Sequence, residues 1–569
     1  MAEASPNKIA MPTAAPRAES SSIKEFLTGI VIAFTMAFIF RGFVIEGFLI
    51  PTGSMAPTLL GKHIRVTDEQ NGYEWTAGPW DYADGRVPLS VQGAREPIEL
   101  NDPMTGNEVV RTDEPLLAGD RLFVMKYLAG IYEPDRWDVV VFKVPTGPQE
   151  NYIKRLLGLP GEQIALVDGD VFYRAAPATA DPGTGVADWS AEDWSIARKD
   201  ERTQRVMLQP VFDSFFAPSP ETQENLAPRD RFRPPWETDP ERGGGSWEGL
   251  RGAADAGYRY SGSGPTSLVW DTARYPLDDY TPYNQTRSGF QSYARETNRP
   301  SLPVFPVSDV AVRLAVEPET DGQTVQFDLQ ARGLELRGVI ESGVARLMLR
   351  AAGEADGSWT LVDEGDAELP SGAVTNVEFW HVDQALWLFV GGELVAGGTE
   401  SGGYDLTPAE RVRASTGTRL DEWLTQQAEV DRGPLTRPGN YVKPSLSVSF
   451  AGGPMVVRRT IVSRDIFYQP RTLAPSRGAH PSSTATLSQD HYMFCGDNSA
   501  NSEDARAWNV VDPWVSETIH SIDTSIRDPH AGLVHRELLT GRAFVVYLPS
   551  PVKRFGLPML DFGRMRWVW

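Results

Sequence analysis

Three short stretches carry side chains that can do chemistry together. The first, PTGSMAPTL, presents Ser54 on a small loop behind Thr52 and Gly53. The second, NYIKRLLGLPGE, carries Lys154 among Tyr152, Ile153, Leu156 and Leu157. The third, GDNSANSEDAR, runs from Gly496 to Arg506. A serine hydroxyl is a poor nucleophile until a base takes its proton, and the usual base is histidine. The chain has seven histidines, and the one close to Ser54 in sequence, His63, sits in the polar run GKHIRV. Lys154 is the better candidate, because on a strand with apolar neighbours its amine is buried and its charged form disfavoured. Lowering a lysine pKa from about 10.4 to near 7 costs roughly 4 to 5 kcal/mol of differential solvation. Taken singly, Ser54 reads as a turn or capping serine and Lys154-Arg155 as an exposed pair on an edge strand. Gly53 permits a close approach of another backbone to Ser54.

The nucleophile loop follows an apolar run directly. FLTGIVIAFTMAFIF, from Phe26 to Phe40, holds fifteen uncharged residues, and after Arg41 the run resumes as GFVIEGFLI. At 1.5 Å per residue this is short against a hydrocarbon core of roughly 30 Å, so Arg41 must snorkel to the interface. No small-x-small exit follows, which favours an uncleaved anchor over a cleavable leader. Lys8, Arg17 and Lys24 precede the run and put the amino-terminal end in the cytoplasm, with everything after about Ile50 outside.

The 569 residues imply three or four units at roughly 150 residues each. Gly 52 and Pro 44, with many short Val/Ile/Tyr/Trp runs, predict a mainly β protein. A net charge of −22 argues against nucleic acid as a partner. The single cysteine, Cys495, excludes an intrachain disulfide and a multi-cysteine zinc site, and reads as a small buried hydrophobe. No nucleotide loop, metal set or cofactor motif is evident, and the Asn284-Gln-Thr sequon reads as accidental. Residues 1–22, rich in Ala, Ser and Pro, read as a disordered tail. Residues 23–50 are the anchor, 51–66 the nucleophile loop, and 67–118 a polar, turn-rich insertion. Residues 119–175 form a compact β unit bearing Lys154, and 176–304 a loop-rich excursion. Alternating strands at 305–468 predict a β-sandwich, within which VEFWHVDQALWLFVGGELV resembles laminin-G-like or concanavalin-like domains. Residues 469–569 close the catalytic core.

Together with GDRLFVMK (Gly119 to Lys126) and HRELLTGRAFVVYLP (His535 to Pro549), the three stretches resemble, in order, the boxes of the type I signal peptidases. These are membrane-anchored enzymes that remove leader peptides. The resemblance covers residues 23–66, 119–173 and 490–549, and implies a signal-peptidase-type β core interrupted by a large insertion. It implies that Ser54 is the nucleophile and Lys154 its base. Thr52 would place a hydroxyl on the oxyanion with the Ser54 N–H, and Ser502 would hydrogen-bond the Lys154 amine. Asp504 and Arg506 would pair to hold their loop, with Gly496, Asp497 and Asn498 shaping the turn below. Ser499, Ala500 and Ala505 replace the family's usual Arg, Asp and Ser, which puts the loop's stability in doubt. Met55 is expected to cover the site, meet lipid or simply pack.

The implied partners are exported preproteins and the bilayer of a bacterial-type plasma membrane, with the insert free to bind an envelope component or protein. Two other readings stay open. One is an inactive, membrane-tethered protein that binds carbohydrate or protein through its sandwich. The other is a self-processing serine–lysine protein related to repressor proteases, disfavoured by the anchor and by the absence of a DNA-binding region.

Overall fold

The computed structural model describes residues 23–78, 98–111, 116–126, 133–147, 149–177, 183–219, 223, 231–239, 247–250, 257–285, 303–354, 358–425, 433–470, 476–522, 532–554 and 557–568. The tail expected at 1–22 lies outside them. Ile23–Phe43 is one helix of 21 residues, about 32 Å long. It continues past Phe40 through Arg41, so it matches a hydrocarbon core better than the uncharged run alone. Phe26, Phe34, Phe38 and Phe43 are all exposed. A helix that is apolar all round and unburied by protein suits lipid. It is the one helix among the described residues long and apolar enough to cross a membrane. Its end is pinned to the sheet by Lys126, whose ammonium donates to the Gly42 carbonyl at 2.9 Å and pairs with Glu46 at 2.9 Å.

The chain is mainly β. One sheet runs Ile45–Leu49, Arg121–Lys126, Leu539–Leu548, Val139–Lys143, Asn151–Gly158, His491–Cys495, Val534–His535, with Arg566–Trp567 on the third strand. A second sheet adds Glu162–Val167 and Asp170–Ala175 as a hairpin, flanked by Thr484–Thr486 and Ser195–Ile196. Between them Phe142, Leu156, Leu157, Ile164, Phe494 and Trp508 form a common core. The lysine strand, Asn151–Gly158, pairs along its whole amino-terminal half with Val139–Lys143, whereas His491–Cys495 pairs with it only from Arg155 onward.

Two further sheets, of eight and seven strands, face each other across a core that includes Val312, Leu314, Phe327, Leu329, Phe379, Leu388, Val448 and Val457. This is a β-sandwich. Burial alternates strictly along Thr324–Ala331, the sign of one face inward and one outward. The Val382–Ala385 hairpin turns through Asp383 and Gln384, both at positive φ (48° and 54°), as a two-residue type I′ turn requires.

The expected boundaries shift in two places. The segment 176–304 is not only loops: Gln209–Asp213, Trp247–Leu250 and Gly257–Tyr260 extend one sandwich sheet, and Trp236–Thr238 and Thr266–Trp270 the other. Its tryptophans and tyrosines, among them Trp236, Tyr258 and Trp270, enter the sandwich core. The segment 67–118 likewise holds hairpin strands, Glu74–Ala77 paired with Ile64–Thr67 and Ile98–Asn101 with Glu108–Arg111. Val66, Trp75, Leu100 and Val109 give them a small core of their own. Strands of three to five residues separated by polar turns are too short for their alternation to stand out in sequence.

The sandwich and the second sheet are joined by buried charge. Asp168 and Asp170, flanking the tight turn of the second sheet, take hydrogen bonds from Arg332 and Arg411 of the insert, with Asp168 at 2.8 Å from each Nε. All four side chains are buried.

Candidate active site

The lysine strand and the nucleophile loop meet within the first sheet, on the stretch of the strand before its pairing with His491–Cys495 begins. Lys154 Nζ lies 2.7 Å from Ser54 Oγ and 3.2 Å from the Ile153 carbonyl. The amine is 4.9 Å above the Tyr152 ring. Both Ser54 and Lys154 are buried, and burial, partly opposed by Asp504, pulls the ammonium down from its ordinary value to about 8. An amine that loses its proton near neutral pH can take one from a hydroxyl in contact with it.

The Gly496–Arg506 loop closes under this pair. The Asn498 backbone N–H donates to the Ser54 carbonyl at 3.0 Å, and the Asn498 amide donates to the Gly53 carbonyl at 2.9 Å. A Cβ on Gly496 would lie 2.4 Å from the Ser54 carbonyl oxygen and 2.3 Å from Ser502 Oγ, so only glycine lets the two loops approach this closely. Asp504 and Arg506 pair side by side at 2.9 and 2.7 Å, and the Gly496 N–H donates to Asp504 at 3.0 Å. Asp497 is taken up by Arg155, with Nε–Oδ1 at 2.8 Å and Nη2–Oδ2 at 2.7 Å, and also accepts from the Thr58 hydroxyl at 2.6 Å. Thr52 is exposed beside the nucleophile.

The hydrogen bond expected between Ser502 and the Lys154 amine is not formed. The Ser502 hydroxyl is buried without a hydrogen-bond partner beside Gly496, while the amine of Lys154 points to Ser54 and the Ile153 carbonyl. Met55 is fully buried with Ile50, Leu59, Leu122 and Val124, so it packs in the core and meets neither lipid nor substrate. His63 makes no hydrogen bond to the serine: its Nδ1 sits 2.8 Å from the Gly61 carbonyl, its Nε2 has no partner, and burial lowers its pKa to about 4.

The comparisons bear on the same stretch of chain. A family model described as "Signal peptidase, peptidase S26" matches residues 108–202, which include Lys154. The signal peptidase I of Rickettsia typhi is 29% identical over 156 residues, 27% of this chain and 44% of that protein. That of Rickettsia rickettsii is 32% identical over 140 residues, 24% of this chain and 38% of the relative. Over this region the chain is similar to the signal peptidases of family S26. The matched region spans less than half the length of either relative.

Among solved structures, a galectin from Caenorhabditis elegans is similar with a TM-score of 0.17 at 14% identity, covering 28% of this chain and 88% of that one. A Bacillus subtilis protein of galectin-like fold gives 0.23 at 9% identity, covering 46% of this chain and all of that one (100%).

The substitutions in the signal peptidase loop are absorbed by its own contacts. Ser499 Oγ receives Arg506 Nη1 at 2.6 Å and the Gln469 N–H at 2.7 Å, and Ala505 is buried in the core. The loop therefore closes with serine and alanine in those positions.

Two groups at this site carried no sequence signal. Arg155 follows Lys154 on the strand, points to the opposite face, and reaches Asp497. Asn284 arrives from the insert, and its amide exchanges hydrogen bonds with that of Asn498 at 2.7 and 2.9 Å.

One further cluster has the shape of a cation site. Carboxylates of Asp170, Asp383 and Asp465 converge within 4.8 Å, away from the serine. The Lys199 ammonium already sits among them, 2.7 Å from Asp383 and 2.9 Å from Asp465. Burial opposes its charge, and the two carboxylates overcome this to hold it above the ordinary lysine value.

Proposed function

We propose that the protein is a membrane-bound serine endopeptidase that removes N-terminal signal peptides from exported preproteins through a Ser54–Lys154 dyad. The observation that carries this reading is the 2.7 Å contact between the Lys154 amine and the Ser54 hydroxyl, with Lys154 inside the stretch that matches the signal peptidase family.

Neutral Lys154 takes the proton as Ser54 Oγ attacks the scissile carbonyl, and returns it to the leaving amine. The resulting acyl-enzyme is hydrolysed by a water activated by the same amine. The oxyanion is held by the Ser54 N–H and the Thr52 hydroxyl, one such donor being worth about 2.7 to 4 kcal/mol. Ser502 lies against Gly496 and makes no hydrogen bond to the amine. The unpaired edge of the lysine strand before Arg155 supports binding of an extended substrate by strand addition, which supplies main-chain hydrogen bonds with little sequence demand.

The apolar helix ends at Phe43, eleven residues before the serine. That holds the nucleophile near the bilayer, where a leader emerges from its own membrane span. The catalytic domain lies on the extracytoplasmic side of the plasma membrane, with the amino terminus cytoplasmic.

The test uses full-length protein in detergent and a preprotein with an Ala-x-Ala junction. Cleavage at the junction by the unsubstituted protein, lost in Ser54→Ala and in Lys154→Ala, is the expected result. Absence of cleavage by the unsubstituted protein, with a ligand retained by the insert, would put the binding-protein reading in its place.

A further inference from the structure

The insert reaches the nucleophile through one turn, Thr281-Pro282-Tyr283-Asn284-Gln285. Tyr283 is buried with Ala56 and Leu60 of the nucleophile loop. Its ring lies over Gly53 so closely that a Cβ there would be 2.0 Å from Tyr283 Cε1, and a Cβ on Gly78 would be 2.7 Å from the same atom. The ring is thus clamped between the nucleophile loop and the end of the Glu74–Ala77 strand. Its hydroxyl donates to the Lys62 carbonyl at 2.7 Å, and its carbonyl accepts from the Gly78 N–H at 2.7 Å.

The next residue acts on the other side of the same loop. Asn284 is buried, and its amide and that of Asn498 satisfy each other. Asn498 then has one side-chain N–H for the Gly53 carbonyl and its backbone N–H for the Ser54 carbonyl. Two adjacent residues of the insert therefore bear on the peptide units on either side of Ser54, one by van der Waals contact and one through Asn498.

We infer that Tyr283 and Asn284 are positioning residues for the nucleophile, so that the insert is part of the catalytic scaffold and not an appended module. This rests on the Ser54–Lys154 peptidase reading. Neither residue touches Lys154 in the contacts described, so their effect falls on the placement of Ser54 and leaves the base as it is. Displacing a reacting group by about 1 Å can cost roughly a hundredfold in rate.

The test compares Asn284→Ala, Tyr283→Ala and the conservative Tyr283→Phe in the full-length protein. The two alanine variants are expected to lose about ten- to a hundredfold in kcat, with KM within about twofold and the pH midpoint of kcat unmoved. Tyr283→Phe, which keeps the ring over Gly53, is expected to stay within about threefold of the unsubstituted protein. Hydrogen–deuterium exchange gives a readout that needs no turnover. In Asn284→Ala, exchange is expected to accelerate in the peptide spanning Thr52–Leu59 and to stay unchanged in the lysine strand.

A change in KM alone, a kcat equal to that of the unsubstituted protein, or a loss that only tracks the unfolded fraction would each overturn the inference. If the unsubstituted protein cleaves no preprotein, the peptidase reading fails. The exchange experiment still decides whether the insert holds the loop, and unchanged exchange in Thr52–Leu59 sinks that too.

Discussion

Arg155 and Asp497 form a fully enclosed ion pair, both side chains at 0% exposure with Nη2–Oδ2 at 2.7 Å. The pair ties the strand that carries Lys154 to the loop that holds the Ser54 carbonyl. Removing one partner leaves the other charge buried and uncompensated, which costs about 3 to 5 kcal/mol. Asp497→Ala is expected to lose that much in chemical denaturation. Replacing both residues by apolar ones of similar volume should recover most of it. A loss under about 1 kcal/mol for the single variant would show that the pair does not brace the site.

The depressed pKa of Lys154, about 8 against an ordinary 10.5, has consequences for rate and for stability. A reaction that needs the neutral amine rises with pH and levels off above about 8. For stability, both folded and unfolded states carry the proton below pH 8, and the native state then bears the whole desolvation cost. Between 8 and 10.5 the unfolded chain binds a proton that the native one does not, so stability rises with pH. Lys154→Met removes this dependence and is expected to stabilise the protein by about 3 kcal/mol at pH 7, with no gain above pH 10.5. Denaturation curves at pH 7 and pH 11 check it, and an equal effect at both would refute it.

Gly53 leaves no room for a side chain beneath the Tyr283 ring. Gly53→Ala is expected to reduce preprotein cleavage by at least about tenfold by displacing the serine. Because the collision is with one ring, Gly53→Ala with Tyr283→Ala should be no worse than Tyr283→Ala alone, a non-additivity expected of residues in contact. Strictly additive losses in a double-mutant cycle would rule the collision out.

The carboxylates of Asp383 and Asp465 have the Lys199 ammonium between them. Lys199→Met is expected to cost about 3 to 5 kcal/mol by leaving them unpaired. Millimolar calcium or a chelator should leave the melting temperature of the unsubstituted protein unchanged. A rise in melting temperature with calcium would mean that a metal displaces the lysine.

Much of this molecule could be read locally. The apolar run before Ser54 fixes an apolar helix long enough to cross a membrane by composition alone. Alternation in VAVRLAVEP and TVQFDLQARG marks half-buried strands, and the order of the serine, lysine and GDN stretches points to the peptidase reading. Each of these signals lies within a window of about ten to twenty residues, where side-chain chemistry and backbone period act directly. Other features arise only when the chain is folded. The Arg155–Asp497 contact joins residues 342 positions apart, and the Asn284–Asn498 pair joins residues 214 apart. No local propensity encodes a hydrogen bond across such distances, because its geometry depends on the whole path of the intervening sheets. The burial of the Ser502 hydroxyl and of Met55 was decided the same way, by which atoms already filled the space around them. The sequence by itself determined which groups follow the apolar helix; the tertiary structure alone decided that the amine meets the hydroxyl and that a turn of the distant insert packs on Gly53 and pairs with Asn498, which holds the carbonyls on both sides of the Ser54 N–H.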